Sequence, residues 1–194
     1  MGRPDLTAVR TEEILDAFER CVARFGLHGS SLERIAESAG MKRSVVRHYL
    51  GNRDAMVEAL AERVADRCRE DLDAYLSTVS EKRRMDQLLA FLFPDSGQGS
   101  TDNLMAVESL IAAGEDHPRI RELMTTYVEA VVGMVADQLR LAFPNTVRSH
   151  CWSTAYGLVG ICFNHASLSP LGLPTKYLKA ARNSARELIN TLQP

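Results

Sequence analysis

The sequence has no unbroken apolar run of about eighteen residues, which excludes an ordinary membrane-spanning helix. It also lacks a glycine-rich phosphate loop and a nucleophile elbow, two common signatures of nucleotide-binding proteins and hydrolases. Its four cysteines form no CxxC pair and follow no secretion signal, which favours reduced, mostly buried thiols in a cytoplasmic protein. We therefore expect a chain that works away from membranes and needs no metal and no other cofactor.

Sustained alternation of polar and apolar residues is absent too, which argues against a sheet-based fold. Apolar residues instead recur three and four positions apart, so we predict an all-α fold. A small three-helix domain is expected over residues 1–52 and a larger helical domain over residues 53–194. The predicted helices span about 11–25, 30–39, 42–50, 53–79, 85–93, 102–114, 118–142, 145–168 and 175–192, with a flexible loop in PDSGQGST, residues 94–101.

A strong net charge is likewise missing, since the chain carries only -2 at pH 7. The charges are nevertheless unevenly distributed: residues 1–53 hold nine Lys and Arg against seven Asp and Glu. Within that part, Gly40 to Arg53 contains four basic residues and no acidic one. An isolated basic cluster is often only a solvated helix face. Its neighbours in the sequence therefore decide what the cluster does.

Two short helices joined by SAGM surround the basic cluster. Ser30 and Glu33 form a capping-box pattern that starts the first of them, and Gly40 permits a tight turn. This order is typical of a helix-turn-helix, whose second helix enters the major groove of DNA. In the preceding helix, Ile14, Phe18, Cys21, Val22 and Phe25 are expected to form the buried face.

The second short helix has the composition of a recognition helix. A start at Lys42 exposes Lys42, Arg43 and Arg47, whereas Val46 and Leu50, four positions apart, face inward. Lysine and arginine neutralise phosphates, and arginine can also donate two hydrogen bonds to guanine O6 and N7. We therefore predict that this segment binds double-stranded DNA.

The stretch RTEEILDAFERCVARFGLHGSSLERIAESAGMKRSVVRHYLGNRDAMVEAL resembles the N-terminal domain of tetracycline-repressor (TetR) family regulators. The resemblance covers about fifty residues. It rests on a first helix that ends in a Phe- and Gly-containing segment, on the capped second helix with its IA and AG pairs, and on the recognition helix. It implies that Ser31 and Arg34 hold phosphates. It further implies base-edge contacts by Arg43, Ser44, Val45 and Arg47, and mainly backbone contacts by Lys42, His48, Tyr49 and Arg53.

Two positions depart from the family pattern. Arg47 stands where members usually carry a tyrosine. The aromatic ring, which can stack on bases, is thus replaced by a guanidinium group that prefers guanine. Leu50 stands where members commonly carry an aromatic residue, and this change only makes one core contact smaller. His48 could also be a catalytic base or a metal ligand, but no partner lies at suitable spacing. Tyr49 could equally cover the small core as contact phosphate.

The stretch HCWSTAYGLVGICFNHASL indicates how two copies could associate. Its helix carries almost no charge around its circumference and should be buried all round. We interpret its small residues as the contact with a partner helix and its bulky side as the core of the same subunit. A central helix of a monomeric bundle is the alternative. The predicted homodimer interface comprises Ser153, Gly157, Gly160 and Asn164 with Leu178, Ala181, Ala185 and Leu188 of the last helix.

The resemblance also implies a small-molecule effector bound among the middle helices. Aromatic and flexible side chains could form its walls, although such stripes are more often ordinary core. Glu108 could supply a polar contact, with a solvent-facing glutamate as the alternative. A mostly apolar effector with one or two polar groups suits this lining. The predicted ligand residues are Tyr75, Phe93, Met105, Glu108, Tyr127, Trp152 and Tyr156.

An enzyme is the competing class. Cys162 and His165 lie three positions apart and could share a helix face, but two donors are half a metal site. A DNA-binding architectural protein without an effector is the second alternative, and only an open pocket distinguishes it from a ligand-controlled regulator. We therefore predict a non-enzymatic transcription regulator, most simply a homodimeric repressor of a pseudo-palindromic operator that a small molecule releases.

Overall fold

The computed structural model of the chain describes residues 6–94 and 99–192, and for residues 99–103 it describes the backbone alone. Every regular element within these ranges is helical, as predicted. Short 3-10 turns lie at Glu81–Arg83 and Ser169–Leu171. The α-helices are α1 (Leu6–Gly29), α2 (Leu32–Ser38), α3 (Arg43–Leu50), α4 (Arg53–Thr78), α5 (Arg84–Leu92), α6 (Gly99–Ala113), α7 (Pro118–Ala142), α8 (Arg148–Ser167) and α9 (Lys176–Asn190).

The predicted loop is shorter in the structure. Residues 95–98 of PDSGQGST lie outside the described residues, and α6 already begins at Gly99. The other helix bounds differ from the predicted ones mainly at their ends, where hydrophobic periodicity carries little information.

The described residues divide into two compact units. The first comprises the chain up to Asp66 together with Asp102–Thr125, and the second comprises the residues from Arg67 to α5 and those from Thr126 onward. This division differs from the predicted boundary after residue 52. The physical reason is that the first half of α4 is bonded to the N-terminal helices, through Arg53 to Ser30 and through Arg63 to Glu12.

In the first unit, α1 buries Ile14, Phe18 and Val22 as predicted. The helix changes direction at Gly26, whose φ of 68° lies in the left-handed region that glycine adopts without a Cβ clash. Phe25 was predicted to be buried with the others, but 41% of it is exposed. This prediction was wrong because Phe25 directly precedes the break.

The start of α2 lies one residue later than predicted. Ser31 is the N-cap, and its hydroxyl oxygen accepts a hydrogen bond from the Arg34 backbone N–H at 3.3 Å. Ser30 is instead buried and donates its hydroxyl to the Gly26 carbonyl oxygen at 2.8 Å. The Ser30 hydroxyl, which was predicted to cap α2, therefore stabilises the end of α1.

The second unit is held together around α8 and α9. A Cβ added to Gly157 would lie only 3.3 Å from Cδ1 of Leu188, so the glycine permits a close approach of the two helices. Arg182 of α9 donates from Nε to the Phe93 carbonyl oxygen at 3.0 Å, just beyond α5. The Cys162 thiol of α8 donates to the Leu92 carbonyl oxygen at 3.1 Å.

The cysteines are free thiols, and Cys21, Cys68 and Cys151 are buried, which confirms the predicted state. Burial raises the pKa of the Cys162 thiol to about 11, so it stays protonated at neutral pH. A protonated thiol is a poor nucleophile and a poor metal ligand. Across residues 6–94 and 99–192, no helix is both long enough and apolar enough to cross a membrane.

Candidate nucleic-acid interface and internal site

The helix α3 is oriented by its two buried residues. Val46 and Leu50 are both buried, one turn apart on the inner side. Gly40 and Gly51 bound the helix with φ values of 65° and 75°. These turns and the buried pair leave the opposite face of α3 in solvent, as the sequence predicted.

The exposed face of α3 carries the predicted DNA-binding side chains. Lys42 occupies the N-cap position, and its side chain makes no capping hydrogen bond. His48 and Tyr49 form an edge-to-face ring pair with centroids 5.3 Å apart. Tyr49 is half-buried, which is compatible with both of its proposed roles. The exposed predicted residues of this unit are Ser31, Arg34, Lys42, Arg43, Ser44, Arg47 and His48, and Val45 is half-buried.

One ion pair on this surface was not predicted. The guanidinium Nη1 of Arg43 lies 2.6 Å from Oε1 of Glu33, and both side chains are more than half exposed. A backbone hydrogen bond and then the charge of Arg43 hold the pKa of Glu33 below its ordinary value. Such an exposed pair contributes little to stability. It does bring the Arg43 guanidinium beside the start of α2.

Arg53 has a different environment from the other basic residues. Its Nη1 donates to the Ser30 carbonyl oxygen at 2.7 Å, and its Nη2 donates to the Leu27 carbonyl oxygen. The guanidinium also lies over the Phe18 ring, 5.0 Å from the centroid. Burial lowers the pKa of Arg53, and the charge of Asp54 opposes this effect. Arg53 therefore links α4 to the turn between α1 and α2, a role that its basic character alone could not reveal.

The predicted ligand residues are distributed between the two units. Tyr75, Phe93 and Tyr127 are buried in the second unit. Met105 and Glu108 belong to the first unit and are half-buried, so the structure does not assemble the seven residues in one unit. Burial also raises the pKa of Tyr127 strongly, which keeps its phenol protonated.

Trp152 and Tyr156 lie on the outer surface, where 55% and 60% of them are exposed. Their rings stack with an interplanar angle of 5° and centroids 5.8 Å apart. The prediction that they form the core of their own subunit and line its pocket was therefore wrong. The prediction failed because an uncharged helix gives no indication of which of its sides its own chain covers.

The predicted dimer residues separate into exposed and covered ones. Ser153, Gly160 and Asn164 are exposed on the same helix as the stacked rings. Ala185 is completely buried within its own chain, so the structure contradicts its assignment to a partner contact. The remaining predicted residues, Gly157, Leu178, Ala181 and Leu188, are half-buried.

A group of buried polar atoms in the second unit was not predicted. Arg84 donates from Nη1 to Oε1 of the buried Gln138 at 2.6 Å. The Nε of Arg84 and the hydroxyl of Tyr75 are buried and have no hydrogen-bond partner among the residues that the structure describes. Gln138 also lines a pocket of about 350 Å³ between α4 and α7, with Arg69, Leu72, Asp73, Leu76, Ala130, Met134 and Asp137. A buried Arg–Gln pair has no simple sequence signature.

The all-helical fold, with a short capped helix preceding an exposed basic helix, defines a helix-turn-helix DNA-binding transcription regulator. Residues 14–60 match the family model described as bacterial regulatory proteins of the tetR family. Residues 14–60 are therefore similar to the N-terminal domain of TetR-family transcriptional regulators. The predicted resemblance is thereby confirmed.

Similar proteins extend this agreement beyond the N-terminal unit. The HTH-type transcriptional regulator BetI of Escherichia coli strain K12 is 20% identical over 164 residues, which is 83% of this chain and 82% of BetI. A TetR transcription regulator from Haloarcula marismortui has a TM-score of 0.77 at 19% identity, with 95% and 98% of the two chains covered. A transcriptional regulator from Saccharomonospora viridis, solved in complex with choline, has a TM-score of 0.80 at 16% identity, with 94% and 96% covered. These structures share the fold of the chain.

Proposed function

We propose that the chain is a dimeric repressor that binds a pseudo-palindromic operator in double-stranded DNA and is released by a small molecule. The observation that carries the proposal is the solvent-exposed basic face of α3, fixed by Val46 and Leu50. We further propose that the protein acts in the cytoplasm, where it meets DNA, and that it catalyses no reaction. Selection of bound sequences from a random DNA pool, followed by mass measurement of the complex, tests the proposal. A two-fold symmetric motif bound by an even number of chains supports it, and a pool without an enriched motif contradicts it.

Arg47 is one of the four residues proposed to contact base edges, with Arg43, Ser44 and Val45. Arg47→Ala should weaken operator binding by about 1–3 kcal/mol and relax the preference at one base position, because a bidentate contact to guanine is lost. Competition binding against operators with each base substituted measures both effects. Lys42→Ala is the matched control and should weaken all sequences alike. An equal loss for Arg47→Ala on operator and random DNA would mean that Arg47 contacts only phosphate.

The proposed dimer uses the outer face of α8. Trp152 and Tyr156 supply large apolar rings, and Ser153, Gly160 and Asn164 next to them permit close approach. Stacked aromatic rings that are more than half exposed are costly to leave in water, and a second copy would cover them. A two-fold dimer would also present two copies of α3 to two half-sites.

The proposed effector site lies in the second unit, beside Tyr75 and Arg84. Both carry buried donors that lack a partner within the described part of the chain, and a carbonyl or carboxylate of an effector could accept hydrogen bonds from them. Leu72, Leu76 and Met134 of the neighbouring pocket offer apolar contacts. We propose an effector with an apolar body and an acceptor group. A cation such as the choline bound by the Saccharomonospora viridis protein would be repelled by Arg84. Phe93 and Tyr127, which belong to the same unit, remain proposed contacts.

Tyr75→Phe separates the effector role of the hydroxyl from its structural role. In the free protein the variant should keep or gain up to about 1 kcal/mol of unfolding free energy, because a buried donor without a partner is removed. The ring contact with Phe91, at a centroid distance of 4.7 Å, should persist. Urea unfolding measures the change, and Tyr177→Phe on the surface is the control. A clear destabilisation would show that the hydroxyl has a partner in the folded protein and would contradict the proposed site.

A DNA-binding protein without an effector is the second candidate. It would have the same operator selection, but no small molecule would change its operator affinity. A screen of carboxylic acids and neutral carbonyl compounds for release from the selected operator distinguishes the two.

A further inference from the structure

A groove on the first unit is not used by the proposed recognition helix. It has a volume of about 690 Å³ and runs between α1 and α2. Three arginines and one carboxylate contribute to its walls, which leaves the groove with a local charge of +2. Its lining residues are Arg20, Cys21, Ala23, Arg24, Phe25, Arg34, Glu37 and Ser38.

The exposed Phe25 ring organises two of these arginines. The guanidinium carbon of Arg24 lies 5.0 Å from the ring centroid, and that of Arg34 lies 4.7 Å from it. Arg34 is further held by a 2.5 Å hydrogen bond from Nη1 to the Gly29 carbonyl oxygen. Guanidinium groups held on an aromatic ring lose less side-chain entropy when they bind an anion. This arrangement explains why a large apolar ring is left in water at this position.

The groove is continuous with the proposed DNA-binding surface through Arg34. Arg34 lines the groove and also follows Ser31 at the start of α2, where phosphate contacts are proposed. From there, Arg24 and then Arg20, one turn earlier on α1, extend the positive charge away from α3. Phosphates spaced along a DNA strand are the polyanion that matches such a row.

We propose that the groove between α1 and α2 binds the phosphate backbone of DNA flanking the bases read by α3. The inference rests on the proposed function, because it needs an operator-bound protein. Arg20, Arg24 and Arg34 would contact the phosphates, and Phe25 would hold two of the guanidinium groups in place. The groove adds affinity without adding base preference.

The test is the salt dependence of operator binding for the Arg20→Ala/Arg24→Ala double variant. Each lost phosphate contact reduces the magnitude of the negative slope of log K against log salt by about 0.9, so the slope should become less steep by about 2 while the selected motif stays unchanged. Lys82→Ala/Arg83→Ala removes the same charge from an exposed turn of the second unit and should leave the slope unchanged. Arg24→Gln, which keeps a long polar side chain, should show about half the effect. Circular dichroism checks that each variant is folded.

The length of the DNA identifies where the contact lies. The defect of the double variant should be larger on an operator with long flanks than on one trimmed to the selected motif. Equal slopes for the double variant and the wild type on the long operator would overturn the inference. A second result would also overturn the inference. If millimolar inorganic phosphate saturates the groove at constant ionic strength and the salt slope of operator binding does not change, the groove is a site for free anions. If the wild-type protein selects no operator, that result contradicts the proposed function itself and is distinguishable from a failure of the groove inference.

Discussion

Arg53→Ala should lower the free energy of unfolding by about 3–4 kcal/mol, the largest expected effect of a single basic residue in this chain. Two hydrogen bonds from a charged donor to the Ser30 and Leu27 carbonyl oxygens would be lost. Each such bond contributes about 1.5–3 kcal/mol, and the cation–π contact with Phe18 adds to it. The Ser30 carbonyl oxygen would also lose its donor, whereas the Leu27 carbonyl oxygen would keep the Ser30 backbone N–H. Urea unfolding followed by circular dichroism measures the change.

Two control variants separate stability from DNA contact. Arg53→Lys retains the charge but not the guanidinium group that donates both hydrogen bonds, so it should recover only part of the lost stability. Arg10→Ala breaks an exposed 2.7 Å ion pair with Glu13 and should leave the unfolding transition unchanged. If Arg53→Ala unfolds like the wild type yet binds operator weakly, the residue acts mainly on the DNA backbone and the structural role is wrong.

Trp152→Glu/Tyr156→Glu should convert the protein to a monomer. Large aromatic side chains at the centre of an interface commonly contribute about 2 kcal/mol or more each, so the loss should be at least about 4 kcal/mol. Two opposed copies would also bring four carboxylates into an apolar contact. Because both side chains are more than half exposed in the single chain, its helical fold should survive. Operator affinity should fall together with dimerisation, since one α3 reads only a half-site.

Sedimentation over a range of protein concentrations measures the association. Leu141→Glu is the matched control, because it also places a carboxylate on a large exposed apolar residue, here near the end of α7. It should leave the dimer intact. A dimer that persists in the double variant would show that copies associate through another face than the outer side of α8.

The sequence was most informative where local chemistry decides the structure. The three-and-four spacing of apolar residues predicted the helices, and the glycines predicted the breaks, because backbone conformation depends mainly on near neighbours. Val46 and Leu50 were correctly predicted to face inward because their spacing equals one helical turn. The same reasoning missed the N-cap by one residue, since adjacent Ser30 and Ser31 have the same capping chemistry.

Sequence patterns were least informative about contacts between residues far apart in the chain. An apolar side chain has the same sequence pattern whether it packs within one chain or against a second copy. Trp152 and Tyr156 were therefore assigned to the core of their own subunit, although both are exposed in the single chain. The predicted effector residues share chemistry but belong to two units, which composition cannot show. Arg84 and Gln138 are separated by more than fifty positions, and no periodicity relates them.

Residue spacing and turn chemistry act over a few residues, so they were sufficient to predict the helical class, the turn before α3 and the basic face of α3. Long-range contacts in the folded chain were needed to show that Arg53 supports the turn between α1 and α2 and that Phe25 holds two arginines in a groove. They were also needed to show that the aromatic face of α8 lies outside the core of its own chain. Those features depend on which distant surfaces meet when the chain folds. The sequence around a charged or aromatic residue is the same whichever tertiary environment that residue occupies.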